Sequence, residues 1–166
     1  TLMLMVLRRA SEGERLLRAG GWTGWNPTQL LGAEMSGRTV GIVGMGRIGQ
    51  AIAWRAHLGF GMDVVFFNRS SVTGLDFPAR QIADLRAMLA ACDVAVIAVP
   101  GGAATRGLIG AAELDALGAD GVLINIARGD VVDEDALIDA LVAGHIAGAG
   151  LDVYAREPHV PRALLD

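Results

Sequence analysis

The 166 residues of this chain fit one domain of ordinary size, and 52% of them are apolar, which suits a substantial buried core. The net charge of −4, without any cluster of Lys or Arg, argues against a nucleic-acid-binding surface. The apolar run from Leu2 to Leu7 is far too short to span a bilayer, so we expect no membrane segment.

The cysteine content and the chain ends give two further expectations. Cys92 is the single cysteine and stands beside an apolar run, which predicts a buried residue in a reducing compartment, by default the cytoplasm. The sequence begins without Met and ends without a stop signal, so we expect a piece of a longer protein.

The first predicted element is a helix from Thr1 to Ala19, with an apolar stripe on one side and Gly20-Gly21 at its end. The segment Trp22 to Pro27 breaks regular structure and presents two tryptophans, which we interpret as a connecting arm. In the alternative interpretation both tryptophans cover the core of the domain.

A glycine-rich turn follows the first predicted strand. Val40 to Val43 is a β-branched run too short for a helix, and the residues after Gly49 have helical propensity. Strand, turn and helix stand in the order that the G-x-G-x-x-G dinucleotide fingerprint requires. Gly44 allows the tight turn, Gly46 leaves room for a pyrophosphate, and the missing side chain of Gly49 lets the helix approach the strand.

The predicted phosphate-binding residues are Gly44, Met45, Gly46, Arg47, Ile48 and Gly49, where backbone amides and the helix dipole attract negative charge. A purely structural turn is the alternative interpretation.

The second predicted strand, Asp63 to Phe67, ends in a loop that bears on cofactor choice. In NAD-binding domains an acidic residue near this position binds the ribose 2′-hydroxyl, whereas a nearby Arg suits a 2′-phosphate. Here the loop reads Asn68, Arg69 and Ser70, with no acid. Arg69 and Ser70 therefore favour NADP over NAD, unless Arg69 is simply a solvated loop residue.

The remaining elements alternate between helix and strand. They are a helix from Gln81 to Ala91, a strand from Asp93 to Pro100, a helix from Ala111 to Leu117, a strand from Gly121 to Asn125, a helix from Asp133 to Ala143 and a strand from Ala147 to Val153. This alternation predicts an α/β fold, a Rossmann-type doubly wound parallel sheet with helices on both faces. The predicted division is an N-terminal helix and arm at 1–36, a dinucleotide-binding domain at 37–153 and a departing segment at 154–166.

Ligands of such sheets bind outside the carboxyl ends of the strands. This rule groups the glycine turn with the ends of the later strands, and the further predicted cofactor-binding residues are Val99, Pro100, Thr105, Ile126, Ala127, Arg128 and Asp152. We expect His57 and His145 to be helix-end residues rather than ligands, and we predict no metal site.

Several stretches occur in a characteristic order along nearly the whole chain. They are Gly41 to Gly49, Thr105 to Ile109, Leu123 to Gly129, Val132 to Leu137, and Ile146 to Tyr154 with Glu157-Pro158. Together they resemble the cofactor-binding domain of the D-isomer-specific 2-hydroxyacid dehydrogenases. The loop after the second strand and the tryptophan-containing arm resemble the glyoxylate and hydroxypyruvate reductase branch.

The resemblance implies hydride transfer between a nicotinamide cofactor and a small 2-oxo or 2-hydroxy acid. It implies that Arg128 binds the substrate carboxylate, which the fork of an Arg matches with two hydrogen bonds. An ion pair that closes the strand end is the alternative for Arg128. Glu157 matches the acid that holds a catalytic His, and the resemblance places that His beyond the end of this sequence. His159 is too close to Glu157 to be that residue.

The resemblance also implies that the substrate domain is largely absent from this chain, which by itself would bind cofactor but turn over little. It further implies a homodimer, joined through the helix and arm of Thr1 to Asn26. A different hypothesis is a nucleotide-sensing interaction module of the corepressor type, which shares the fold.

Overall fold

The structure, a computed structural model, describes residues 1–165, so Asp166 at the end of the predicted segment 154–166 lies outside the described residues. From residue 39 onward helices and strands alternate, except that the short strand β3 follows β2 without a helix between them. The helices are α1 (Leu2–Leu7), α2 (Ala10–Arg18), α3 (Arg47–Phe60), α4 (Leu85–Leu89), α5 (Ala111–Leu117) and α6 (Glu134–Ala143). The strands are β1 (Thr39–Val43), β2 (Asp63–Phe67), β3 (Arg80–Gln81), β4 (Val94–Ile97), β5 (Val122–Asn125) and β6 (Gly148–Leu151).

The six strands form one parallel sheet in the order β3-β2-β1-β4-β5-β6. Every residue of β4 and β5 is buried, as expected for continuous apolar strands covered on both faces. One apolar cluster on the sheet includes Leu114 and Leu137 from α5 and α6, and the other includes Ala53 and Ala56 from α3. The predicted doubly wound α/β fold is confirmed.

The direction of winding reverses between β1 and β4. Both neighbours, β2 and β4, run parallel to β1. Val40 of β1 is level with Val64 of β2 on one side and with Val94 of β4 on the other. Connections leave β1 and β4 toward opposite edges of the sheet, which opens a crevice at their carboxyl ends. The fold therefore places the loops after Val43 and Ile97 beside each other.

The predicted helix from Thr1 to Ala19 is wrong in one respect, because the structure divides it into α1 and α2. Arg9 has a left-handed backbone (φ 52°), and its guanidinium pairs with Glu12 at 2.7 Å. Leu7 is 5% exposed, and its carbonyl accepts a hydrogen bond from Ala33 N, which holds α1 against the domain. The break at Arg9 directs α2 outward, and no residue of α2 is buried.

The predicted helix from Gln81 to Ala91 is also wrong, because its first part is strand β3 and only Leu85–Leu89 is α-helical. The carboxylate of Asp84 accepts a hydrogen bond from Ala87 N and so caps the helix. An Asp at this position is a helix start signal, which limits how far the helix extends toward the N-terminus.

The arm after α2 exposes its tryptophans. Trp22 is 54% exposed and Trp25 is 84% exposed, so neither covers the core as the alternative interpretation required. They line an apolar groove of about 580 Å³ together with Leu16, Leu17 and Leu30.

Two other expectations concern burial and the membrane. Cys92 is 9% exposed, and burial raises the pKa of its thiol to about 12. Among the helices of residues 1–165, none combines the length and the apolarity that a bilayer crossing requires.

Candidate functional site

The glycine turn between β1 and α3 is built by close backbone approaches. Gly44 has φ +101°, and a β carbon there would lie 2.9 Å from Ala98 O at the end of β4. A β carbon on Gly49 would overlap the carbonyl of Gly44 and approach Ile42. These two positions therefore need glycine for the fold itself, whatever binds nearby.

Gly46 differs, because nothing lies within 4 Å of the β carbon that it lacks. It has an ordinary extended backbone (φ −79°) and is the N-cap of the 14-residue helix α3, to which it contributes no side-chain cap. The first-turn amides of α3 are thus open toward solvent at the positive end of the helix dipole. This is a cradle that a side chain would fill and that an anionic group such as a pyrophosphate fits.

The cradle opens into a cleft of about 1240 Å³ at the carboxyl ends of β1, β4 and β5. Of the predicted cofactor residues, the structure brings together eight in its lining: Gly46, Arg47, Ile48, Val99, Pro100, Ile126, Ala127 and Arg128. Met45, 2% exposed, lies behind the turn.

The charged lining of the cleft is mostly positive. Arg47, Arg55 and Arg128 line it with one acid, Asp130, whose carboxylate lies 3.2 Å from Arg106 Nε. Positive side chains and helix-dipole amides favour negatively charged groups on a ligand, such as the phosphates of a dinucleotide or a carboxylate.

Arg128 follows β5 in an extended conformation and is exposed to the cleft. Its aliphatic stem lies against Gly101, where a β carbon would come within 2.6 Å of Arg128 Cγ. One guanidinium nitrogen, Nη1, donates to Ala127 O at 2.6 Å, which leaves the other N–H donors of the fork for a ligand.

The loop after β2 is tied directly to the glycine turn. Asn68 Oδ1 accepts a hydrogen bond from Met45 N at 3.2 Å, and Asn68 Nδ2 donates to Ser70 O at 2.9 Å. Gln81 Nε2 donates to Ser70 O at 3.0 Å, so β3 supports the same loop. Arg69 and Ser70 are exposed at its tip.

Besides Gly44, Met45, Gly49 and the loop of residues 68–70, three further predicted site residues lie outside the cleft lining. Thr105 uses its hydroxyl to donate to Pro100 O at 2.7 Å and so holds the loop after β4. Asp152 lies at the end of β6, where its backbone N–H donates to Asn125 O at 3.0 Å. Glu157 Oε1 accepts from Tyr154 N at 2.9 Å and is exposed.

Two supporting residues were missed as site residues in the sequence. Gln81 was assigned to a helix, and Asn125 was read as a strand end, although its amide bonds to the loop that carries Arg128. A signal was available for Asn125, because an Asn directly after an apolar strand commonly hydrogen-bonds the backbone two residues on.

Comparison with known proteins adds the family. The model of the D-isomer specific 2-hydroxyacid dehydrogenase NAD binding domain matches residues 1–166. The chain belongs to this family. The part of the family that the chain matches is its NAD binding domain.

Three relatives of this dehydrogenase domain are informative. The chain is 45% identical to the 2-ketogluconate reductase of Gluconobacter oxydans over 164 residues, covering 99% of this chain and 51% of that protein. It is also 45% identical to glyoxylate/hydroxypyruvate reductase B of Pectobacterium carotovorum over 168 residues, covering 99% of this chain and 52% of the relative.

The third is a crystal structure of the NADPH-dependent glyoxylate/hydroxypyruvate reductase of Sinorhizobium meliloti with NADP and malonate, at a TM-score of 0.89 and 45% identity. That alignment covers 99% of this chain and 51% of the solved chain. This dehydrogenase chain therefore spans about half the length of the relatives that it matches.

Proposed function

We propose that the whole protein containing this chain is an NADP(H)-preferring reductase of small 2-oxo acids, such as glyoxylate or hydroxypyruvate, to D-2-hydroxy acids. The observation that carries the proposal is that one cleft holds both a pyrophosphate cradle at Gly46 and the free donors of Arg128. The names of the reductases from Pectobacterium carotovorum and Sinorhizobium meliloti support the same substrate class.

The residues of this chain divide the work of binding and orientation. The first-turn amides of α3 with Gly46 to Gly49 hold the pyrophosphate, and the residues around Val99 and Ile126 line the nicotinamide end. The bound cofactor supplies the hydride that reduces the carbonyl carbon. Arg128 pairs with the substrate carboxylate and polarises the adjacent carbonyl, because its guanidinium stays protonated at any working pH.

Glu157 is proposed to act through a His outside this chain. A carboxylate beside an imidazole favours the protonated ring and fixes its orientation, as a proton donor to the developing alkoxide requires. In this chain Tyr154 N donates to Glu157 Oε1, which orients the carboxylate before any His approaches.

The preference for NADP rests on the loop after β2. Arg69 and Ser70 are exposed at the tip of a loop that Asn68 and Gln81 hold against the glycine turn, and no acid stands between residues 68 and 71. A ribose 2′-phosphate gains from a cation and a hydroxyl, whereas a 2′-hydroxyl gains most from a carboxylate.

A homodimer through residues 1–36 is proposed on the exposed apolar surface of the arm. Leu17 (62% exposed), Trp22 and Trp25 line one groove and form a larger apolar surface than single scattered residues would. The division into 37–153 as the dinucleotide-binding domain and 154–166 as the departing segment belongs to the same proposal. A cytoplasmic location is proposed from the single free thiol, Cys92.

The function is tested by mixing the whole protein with NADPH and either glyoxylate or hydroxypyruvate. We expect NADPH fluorescence to decrease with time, and Arg128→Gln to abolish turnover while NADPH binding persists. Failure to oxidise NADPH with any small 2-oxo acid would contradict the reductase and leave a nucleotide-sensing module of the corepressor type as the better hypothesis.

A further inference from the structure

Among residues 1–165, Asn125 is the one polar residue that is buried in the core, and it is 1% exposed. An amide buried without hydrogen-bond partners is strongly unfavourable, so the hydrogen bonds of Asn125 matter. It lies at the carboxyl end of β5, level with Ile97 of β4 and Leu151 of β6. The sheet therefore fixes its backbone on both sides.

Both ends of the Asn125 amide bond to the loop that follows. Oδ1 accepts a hydrogen bond from Ala127 N at 3.0 Å, and Nδ2 donates to Arg128 O at 3.0 Å. These two bonds bracket the backbone of Arg128 from one rigid, buried side chain. The Arg128 loop is thus held from inside the sheet.

The same bonds control the guanidinium of Arg128. Its Nη1 donates to Ala127 O, and Ala127 is the residue whose N–H is held by Asn125. The stem of Arg128 also lies on the bare backbone of Gly101. Rotation of the backbone at Ala127 would move both the attachment point of Arg128 and the carbonyl that aligns its fork.

We propose that Asn125 is a positioning residue that sets the carboxylate affinity of Arg128 by fixing the Ala127 backbone. The inference rests on the proposed role of Arg128 in binding a carboxylate. The pyrophosphate cradle at Gly46 belongs to a different loop, after β1, so Asn125 has no direct effect on it.

The test uses oxalate, a small dicarboxylate without a reducible carbonyl, titrated calorimetrically into the whole protein with saturating NADPH. Asn125→Ala is expected to weaken oxalate about tenfold, the equivalent of one lost hydrogen bond of about 1.4 kcal/mol. NADPH affinity is expected to fall less than oxalate affinity, because only the nicotinamide end of the cofactor is proposed to lie at residues 126–128. Asn125→Ser, whose hydroxyl can accept from Ala127 N but is too short for Arg128 O, is expected to recover part of the loss.

A double-mutant cycle separates positioning from general destabilisation. In an Arg128→Ala background, Asn125→Ala is expected to cause no further loss of oxalate affinity, because the residue acts through Arg128. Ile124→Ala, at the neighbouring buried position of β5 (3% exposed), is the matched control and is expected to lower the melting temperature while leaving oxalate affinity intact. An equal loss from Asn125→Ala in both backgrounds would overturn the proposal.

Hydrogen exchange of the Ala127 amide, measured without ligand, distinguishes this inference from the proposed function. Faster exchange in Asn125→Ala, confined to residues 126–128, would show that Asn125 fixes this backbone. Absence of oxalate binding by the wild-type protein would refute the assigned role of Arg128 instead. Unchanged exchange at Ala127 would overturn the inference while leaving the reductase proposal standing.

Discussion

Asn68 accepts a hydrogen bond from Met45 N across 3.2 Å, which joins the loop after β2 to the glycine turn after β1. The bond fixes the distance between the expected pyrophosphate and the expected ribose positions. Arg69, the next residue, is exposed on a loop that this bond holds at a fixed position relative to the phosphate cradle. Its exposed charge is the one that we propose for binding the 2′-phosphate of NADP.

Arg69→Ala is expected to weaken NADPH binding about 10- to 100-fold, the range given by losing a charged hydrogen bond of about 1.5–3 kcal/mol. NADH binding is expected to change less than about twofold, because the missing phosphate is the only group that Arg69 is proposed to bind. Fluorescence titration with each cofactor measures both effects.

Arg86→Ala is the matched control for this variant, since Arg86 is an exposed Arg in the last turn of α4, outside the cleft lining. It is expected to leave both affinities unchanged, and the difference between the two variants is expected to shrink as salt rises. Equal losses of NADPH and NADH affinity in Arg69→Ala would discard the phosphate role.

Gly46 and Gly49 offer a second test, because the same substitution has opposite physical consequences at the two positions. Gly49→Ala forces a β carbon onto the carbonyl of Gly44 and is expected to lower the free energy of unfolding by about 1–3 kcal/mol. Gly46→Ala places the β carbon in open space with an allowed backbone and is expected to leave stability within about 1 kcal/mol of the wild type.

For cofactor affinity we expect Gly46→Ala, the milder substitution for stability, to have the larger effect. Gly46→Ala fills the cradle in front of the α3 amides and is expected to weaken NADPH at least about tenfold. Urea denaturation and fluorescence titration of the two variants give the comparison. Wild-type NADPH affinity in Gly46→Ala would show that the pyrophosphate does not lie at this turn.

The parts of this fold that local sequence determines were predictable. The strand Asp63–Phe67 and the helix Ala111–Leu117 have the predicted bounds, because β-branched and apolar runs between glycines and polar turns leave little choice. The break at Arg9 was not predictable, since Arg has no preference for the left-handed backbone that it adopts there, and the bond from Ala33 N to Leu7 O that holds α1 comes from outside the helix.

The same division applies to the site. The glycine turn was evident because three glycines stand at the fingerprint spacing between a strand and a helix. Gln81 was missed because its role depends on Asn68 and Ser70, more than ten positions away, which only the sheet brings together. That Thr105 binds cofactor stays a prediction; the bond from its hydroxyl to Pro100 O is a contact that no spacing rule indicates.

Trp25 tests the proposed dimer. Trp25→Ser removes the most exposed aromatic of the arm, and we expect the dimer to dissociate at concentrations where the wild type remains paired, because buried aromatics dominate interface energies. Sedimentation velocity across a dilution series measures the shift. Val142, which is 79% exposed on α6, provides the control, and Val142→Ser is expected to leave the dimer intact. A wild-type chain that sediments as a monomer throughout would contradict the proposal.

Cys92 makes the stability of the fold sensitive to alkaline pH. Its thiol is enclosed between Leu89 O, to which it donates at 3.4 Å, and the backbone of Gly41. Burial and the nearby charge of Asp93 raise the pKa of Cys92 from 9.0 to about 12. In the unfolded chain the thiol ionises near pH 9, whereas in the folded chain it stays protonated, so stability present below pH 9 is lost progressively as pH rises toward 12.

Few other side chains of this chain titrate in this window, because it contains no Lys and one Tyr. The free energy of unfolding is expected to fall by about 1.4 kcal/mol for each pH unit above 9, as followed by urea denaturation at several pH values. In Cys92→Ala this slope is expected to be lost, although the variant starts from a lower stability because it leaves a small void. The same slope in wild type and variant would show that the alkaline loss of stability does not come from the buried thiol.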